Sequence, residues 1–340
     1  MDYVNLGRTN LTVNKNGFGV LPLQRVSLEV AVTLLRKAYH NGITFFDTAR
    51  GYTDSEEKIG LAFGDSFPEM RNKIILASKS GAGDASTFRT HLETSLQMMR
   101  TEYVDIYQFH NPSFVPRPGG EDGLYDAILE AKKDGLVRFI GISNHRFDVA
   151  KEAVISSLYD TLQFPFCYLA GASELEIVDL CKTHQVGFIA MKGLAGGLIT
   201  DAALAYAYLN KYPNVLPIWG IQRESELDDF LSFQTDTPKL TPRRLDKIHS
   251  EKEDLAQNFC RACGYCLPCP ANINIPIAAR ITLLLRRAVA AFFLSEQSQE
   301  EMARIEQCTH CHHCVKHCPY NLNVPDLLKV NYEEYKTFID

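Results

Sequence analysis

Residues 28–79 read LEVAVTLLRKAYHNGITFFDTARGYTDSEEKIGLAFGDSFPEMRNKIILASK. An amphipathic helical pattern, Leu28–His40, runs into a short apolar β-type run, Thr44–Phe46. A second helical pattern, Ser55–Phe63, leads to a second run, Ile74–Ala77. Working outward, the same alternation continues. Further runs fall at Gly17–Leu21, Val104–Phe109, Phe139–Ile142, Thr161–Phe164, Gly187–Met191 and Val215–Trp219, with helical patterns such as Phe88–Met99 and Leu124–Lys133 between them. Strands that alternate with helices need crossover connections and therefore pair in parallel. Eight such units in one stretch predict an α/β fold, a (β/α)8 TIM barrel. A doubly wound sheet is the runner-up, but no G-x-G-x-x-G follows an early strand.

Active sites of such barrels lie at the C-terminal ends of the strands. The runs end in polar residues there: Asp47 with Tyr52 in the following loop, Lys79, His110, Ser143 with Asn144, Gln163 within its run, and Met191 followed by Lys192. Each alone has a plain structural reading, as a solvated lysine, a packed tyrosine or a turn aspartate. Together, Asp, Tyr, Lys and His suit proton delivery to a carbonyl oxygen. A tyrosine is a poor acid near neutrality, and a neighbouring ammonium favours its phenolate. The expected roles are Tyr52 as acid, Lys79 as its tuner, Asp47 as the anchor of Lys79 and His110 as positioner of the carbonyl.

Beyond a polar, proline-containing stretch the chain changes character. Eight of its ten cysteines form two runs, Cys260, Cys263, Cys266 and Cys269, then Cys308, Cys311, Cys314 and Cys318, and each run ends in Cys-Pro. The second has the bacterial ferredoxin spacing C-x2-C-x2-C-x3-C-P, in which the last cysteine reaches the other cluster. This predicts two 4Fe-4S clusters, one on Cys260, Cys263, Cys266 and Cys318, the other on Cys308, Cys311, Cys314 and Cys269. The first run is one residue short before its Cys-Pro, which loosens the place of Cys269. Zinc sites would need only pairs of C-x2-C. Haem attachment through Cys308-Thr-His-Cys311-His312 would leave Cys314 and Cys318 unused, and a disulfide framework belongs to small secreted chains. The segments Ile277–Leu294 and Gln299–Ile305 are rich in Ala, Leu and Arg, so the expected second domain is small and all-α. The expected division is a barrel over 1–235, a linker helix over 236–258 and the cluster domain over 259–340.

The chain has 340 residues and a net charge of −6. That balance points to neither nucleic acid nor an anionic membrane as partner. The N-terminus lacks a signal-peptide pattern, and Arg286 and Arg287 break the longest apolar stretch, so a cytoplasmic place in a reducing or anaerobic cell is expected. No consistent internal repeat is read from the sequence.

The motifs YVNLGRTNLTV, GITFFDTARGYTDSEEKIG, ILASKSG, VDIYQFHNP, GLVRFIGISNH and AALAYAYLNKYPNVLPIWGI together resemble the aldo/keto reductase family over roughly residues 1–235. The resemblance implies catalytic roles for Asp47, Tyr52, Lys79 and His110, and nicotinamide carboxamide contacts from Ser143, Asn144 and Gln163. Met191, Lys192 and Arg223 complete the residues assigned to an NADP or NAD cofactor. The C-terminal extension resembles an alpha-helical ferredoxin, which a branch of the family carries. Two departures stand out. Met191 stands where the family usually has a ring-stacking tyrosine, and Phe230 stands where an asparagine helps to grip adenosine, among Glu224, Glu226, Asp228 and Asp229.

Three functions remain open. One is a reductase of a small-molecule carbonyl (or oxidant of the alcohol) that exchanges electrons through the clusters and draws on a ferredoxin or other redox protein. Another is an ordinary nicotinamide-dependent reductase with a structural or docking cluster domain. The third is a non-catalytic electron-transfer protein. Hydride and single-electron chemistry are normally bridged by a flavin, for which no site is legible.

Overall fold

The computed structural model describes residues 2–197, 199–256, 260–262, 264, 266–287, 290–318 and 322–339. The chain divides into two compact units, Met1–Leu240 and Thr241–Asp340.

The first unit opens with an antiparallel hairpin of β1 (Tyr3–Asn5) and β2 (Thr12–Asn14). Eight parallel strands follow: β3 (Gly17–Gly19), β4 (Phe45–Asp47), β5 (Ile75–Ser80), β6 (Val104–His110), β7 (Val137–Ser143), β8 (Thr161–Pro165), β9 (Gly187–Met191) and β10 (Val215–Gly220). They close into a barrel in which β10 pairs with β3. The predicted runs and the strands coincide in place. Several strands run further at their C-terminal ends, however, taking in Asp47, Lys79, His110 and Ser143. Apolarity stops at those residues, but the backbone ladder continues through them.

Strand alternation explains what fills the barrel. Phe45, Ala77, Ile106 and Ile189 form one buried cluster with Leu216 and Ile218 inside it, against which Phe139 and Met191 also pack. Val4, Leu6, Leu11 and Val13 from the hairpin join this cluster and stop the barrel at one end. Two residues further along the same strand faces, the inward positions become polar: Asp47, Lys79, Gln108 and, one step higher, His110. Register places Lys79 beside Gln108, and Ser143 between His110 and Gln163. An apolar floor and a polar mouth thus follow from one period-two pattern.

The second unit contains helical segments only among its described residues. Helix Pro242–Ala256 leads into it, and helix Val324–Lys336 ends it. The helix expected over Ile277–Leu294 is instead broken between Ile275–Ala278 and Ile281–Arg287; Ala290–Phe293 is also helical, and residues 288–289 lie outside the described residues. The break is a tight turn in which the Arg280 N–H bonds the Ile277 carbonyl. Its core comprises Ile273, Ile275, Ile281, Met302, Leu322, Val324 and Leu328 with Cys260 and Cys314. Among the described residues no helix is long and apolar enough to cross a membrane.

Candidate active site and cluster cavity

Four side chains at the barrel mouth come together as the sequence predicts. Lys79 Nζ lies 2.8 Å from Asp47 Oδ2 and donates to the Thr48 carbonyl at 2.7 Å. Both members of this ion pair are buried, at 1% and 2% exposure. Lys79 Nζ also sits 5.1 Å from the centre of the Tyr52 ring. The Tyr52 ring meets the His110 ring edge-on, with centroids 5.8 Å apart. The four groups come from β4, the loop after it, β5 and β6, three strands that pair side by side.

Charge at the site is governed by burial. Burial disfavours the Lys79 ammonium, but Asp47 and Tyr52 outweigh it, so the lysine pKa is raised and the group stays charged. Burial pushes the Asp47 carboxyl upward against the pull of Lys79, Gln163 and Gln108. For Tyr52 the outcome departs from the expected tuning. Lys79 does favour the phenolate, but burial is the larger influence and the pKa is raised overall. Tyr52 therefore keeps its proton at neutral pH.

Burial, with the Lys79 charge, lowers His110 to about 4 from 6.5. The imidazole is neutral at pH 7, able to donate one hydrogen bond and accept another. The unfolded chain binds this proton below about pH 6.5 and the folded chain only below about pH 4. His110 thus contributes to stability above pH 6.5, and the contribution is lost as pH falls towards 4. Allowing for partial exposure, roughly 1–3 kcal/mol is at stake. Stability measured between pH 7 and 4.5 is expected to fall less steeply in His110→Gln than in the parent. Parallel curves would contradict the neutral buried imidazole.

Sequence reading missed Gln108. Its amide Nε2 donates to Gln163 Oε1 at 2.9 Å and lies 3.5 Å from Asp47 Oδ1. Gln163 in turn donates to Asp47 Oδ2 at 3.2 Å. The room for this amide comes from Gly141 on the neighbouring strand, where a Cβ would lie 2.7 Å from Gln108 Cγ and 2.6 Å from Thr161 Oγ1. The signal was present: Gln108 is two residues before His110, on the same inward face.

The residues assigned to a nicotinamide are placed differently. Gln163 serves Asp47 and Gln108. Asn144 donates to the Pro112 carbonyl at 2.8 Å and accepts from the Arg146 N–H at 2.7 Å. Ser143 Oγ is 3.4 Å from the Phe109 carbonyl. Met191 packs on the barrel interior, and Lys192 follows it with a left-handed φ of 58°. Arg223 is exposed and held by Glu226 at 2.6 Å. Phe230 is buried, stacked on Trp219 with centroids 4.4 Å apart. The hydrogen-bonding groups expected to read a carboxamide are already engaged, and the expected phosphate contact is neutralised. As arranged, each of these side chains already has a partner within the chain, so contacts to a dinucleotide would share or replace those partners.

The cysteine runs do build a cavity. Cys269, Cys308, Cys311 and Cys314 line it together with Cys266, in a recess partly open to solvent. Three of the five belong to the second run and two, Cys266 and Cys269, to the first, so both runs line one recess; Cys266 is the one of these that the spacing assigns to the other cluster. Cys260 is buried in the adjoining core, with Cys266 and Cys318 against it, and Cys263 lies outside the described residues. Among the described residues no three His, Cys, Asp or Glu side chains are grouped to hold a single metal ion. Thiols spread around a cavity suit a polynuclear cluster.

Backbone geometry repeats between the runs. Ala262 and Gly264, which flank Cys263, have φ of 51° and 87°; His310 and His312, which flank Cys311, have φ of 49° and 55°. Such left-handed residues are sparsely populated and persist where their surroundings impose them. The Ala262 N–H lies 3.4 Å from Cys260 Sγ. The Cys311 thiol is held below its ordinary value, chiefly by the His313 N–H. The repeat extends past each run: Cys269-Pro-Ala-Asn-Ile-Asn-Ile-Pro276 and Cys318-Pro-Tyr-Asn-Leu-Asn-Val-Pro325. In both, the residue before the second proline donates its N–H two residues back, Ile275 to Ile273 and Val324 to Leu322, each at 2.9 Å. The second unit therefore does contain an internal repeat, contrary to the sequence reading. It is too short and too widely spaced to stand out in the sequence, and it became evident through matching backbone geometry.

Comparison with known proteins accords with this geometry. Residues 15–203 match the model of the aldo/keto reductase family, and residues 259–323 match that of a 4Fe-4S dicluster domain. The uncharacterized oxidoreductase YqkF of Bacillus subtilis is 30% identical over 214 residues, covering 59% of this chain and 68% of that protein. Methylglyoxal reductase DkgB of Salmonella typhimurium is 30% identical over 202 residues, covering 57% of this chain and 72% of the relative. An aldo-keto reductase of Klebsiella pneumoniae, solved in complex with NADPH, superposes with a TM-score of 0.63 at 21% identity, over 73% of this chain and 94% of its own; that likeness is one of fold. With its eight-stranded barrel and its matched N-terminal domain, the chain belongs to the aldo/keto reductase family and is an oxidoreductase of the branch that carries a C-terminal 4Fe-4S dicluster domain.

Proposed function

We propose that this protein reduces a small-molecule carbonyl to the alcohol, or runs the reverse reaction, with Tyr52 as proton donor and electrons passing through two 4Fe-4S clusters. The observation that carries the reading is the buried Lys79–Asp47 pair against Tyr52, with a neutral His110 beside the phenol. A carbonyl becoming an alcohol takes up two electrons and two protons. Tyr52 gives one proton to the oxygen, and the second, which ends on the carbon, comes from solvent. Lys79 stabilises the phenolate left behind, Asp47 holds Lys79, and His110 hydrogen-bonds the same oxygen and orients it. Gln108 and Gln163 hold the Asp47 carboxylate in place.

The cluster residues are Cys308, Cys311, Cys314 and Cys269 for one cluster and Cys260, Cys263, Cys266 and Cys318 for the other. When bound, the clusters supply electrons one at a time. The rival reading, a nicotinamide-dependent reductase, draws on the NADPH complex of the Klebsiella protein. The engaged Asn144, Gln163 and Arg223 weigh against it.

Anaerobically purified protein whose clusters have been reduced is expected to turn over an aldehyde or ketone without added NADPH or NADH. Turnover that requires a nicotinamide and leaves the cluster EPR signals unchanged would establish the rival. Cluster assignment has its own test. Cys269→Ala is expected to lose the iron and EPR signal of one cluster, that of the second run, and to keep the other. Loss of the first-run signal alone would overturn the crossed ligation.

A further inference from the structure

The cluster cavity has an outward side. Cys311 on its wall is exposed, as are His310 and His312 on either side of it. Their left-handed backbone carries the loop around the cavity rim. Lys316 and His317 are exposed on the short helical segment that follows, where the His313 and His317 rings stack at 4.1 Å. On the other flank, Arg304 is exposed and points its guanidinium at the Asn272 carbonyl, three residues beyond Cys269. No acidic residue occurs between Gln307 and Cys318, in a chain with six excess negative charges. The nearest in sequence on that side, Glu306, is exposed two residues before Cys308. The charge of Lys316 is felt at Cys311. By contrast Cys260, in the first run, is buried in the core.

We propose that the rim formed by Arg304, His310, His312, Lys316 and His317 docks an acidic one-electron carrier protein, which exchanges electrons with the cluster held by Cys308, Cys311, Cys314 and Cys269. The inference rests on the cluster reading above and adds the port and the charge of the partner. Electron exchange between proteins requires close approach, and among the described cysteine positions this cavity brings an exposed ligand, Cys311, to the surface. Arg304, beside the Asn272 carbonyl, and Lys316, two residues after Cys314, would steer an acidic face towards the opening. The imidazoles add hydrogen-bond donors without the repulsion that a carboxylate would bring.

The test is stopped-flow reduction of the holoprotein, under anaerobic conditions, by a reduced acidic plant-type ferredoxin, with photoreduced deazaflavin as a small reductant that needs no docking face. Arg304→Glu/Lys316→Glu is expected to slow ferredoxin-driven reduction by about 10-fold or more at low salt. Rising ionic strength is expected to slow the parent and to bring the two proteins together. Iron content, sulfide content and the deazaflavin rate should be unchanged by the substitutions. Equal ferredoxin rates for parent and variant, or a parent rate that does not fall with salt, would overturn the surface. So would charge-dependent binding to anionic phospholipid vesicles with no effect on electron transfer. Failure of deazaflavin to reduce any cluster in the parent would instead remove the cluster reading itself, and the docking proposal with it.

Discussion

Tyr52→Phe is expected to lower carbonyl turnover by about 10²–10⁴-fold, the range typical for removal of a positioned proton donor. The substitution removes one oxygen and leaves the ring that meets His110 and sits beside Lys79. Fold, iron content and cluster EPR should therefore be unchanged, and the loss should appear in kcat more than in KM. The raised pKa of Tyr52 means that the phenol is protonated throughout the neutral range. Activity in the reducing direction is accordingly expected to persist to mildly alkaline pH before the phenol begins to ionise. Steady-state rates across pH, with parent and variant side by side, check both statements. Turnover in Tyr52→Phe equal to that of the parent would mean that the proton reaches the carbonyl from another group, and the Asp47–Lys79 pair would need a different purpose.

The second large effect is on stability. Asp47→Leu leaves a buried ammonium on Lys79 with only neutral partners, the Thr48 carbonyl and Tyr52 among them, and is expected to cost about 3–5 kcal/mol. Lys79→Met leaves the opposite charge and should cost a comparable amount. The double variant, in which both charges are gone, should be more stable than the sum of the two losses implies. Chemical denaturation followed by tryptophan fluorescence suits the measurement, because Trp219 is the single tryptophan and is buried in the barrel unit against Phe230. Additive losses would show that the two side chains act independently despite the 2.8 Å contact. All three variants are expected to lose activity, which distinguishes them from distant destabilising changes only through the Tyr52 comparison.

Much of the barrel was legible because each of its strands is a short apolar run set between amphipathic helices. The same clarity did not reach the cofactor residues. Ser143, Asn144 and Gln163 lie at the barrel mouth as their motifs suggest, yet their partners come from other strands and loops: Phe109, Pro112, Asp47 and Gln108. Phe230 shows the same limit. In sequence it occupies a family asparagine's place; in the structure it is a core residue stacked on Trp219. The broken helix between Ile275 and Phe293 differs from the expected single one because composition carries no record of where the Arg280 N–H would close a tighter turn.

For this protein, local pattern by itself determined the things that depend on short-range regularity. Alternating runs set a parallel barrel, residues at strand ends marked its mouth, and cysteine spacing marked a 4Fe-4S dicluster domain. Long-range closure decided the rest. Whether Lys79 meets Asp47, whether Tyr52 keeps its proton and whether His110 is neutral depend on burial and on side chains brought in from other strands. Sequence records which groups are present. Their charge states follow from how much water the fold removes from them and from which partners replace it.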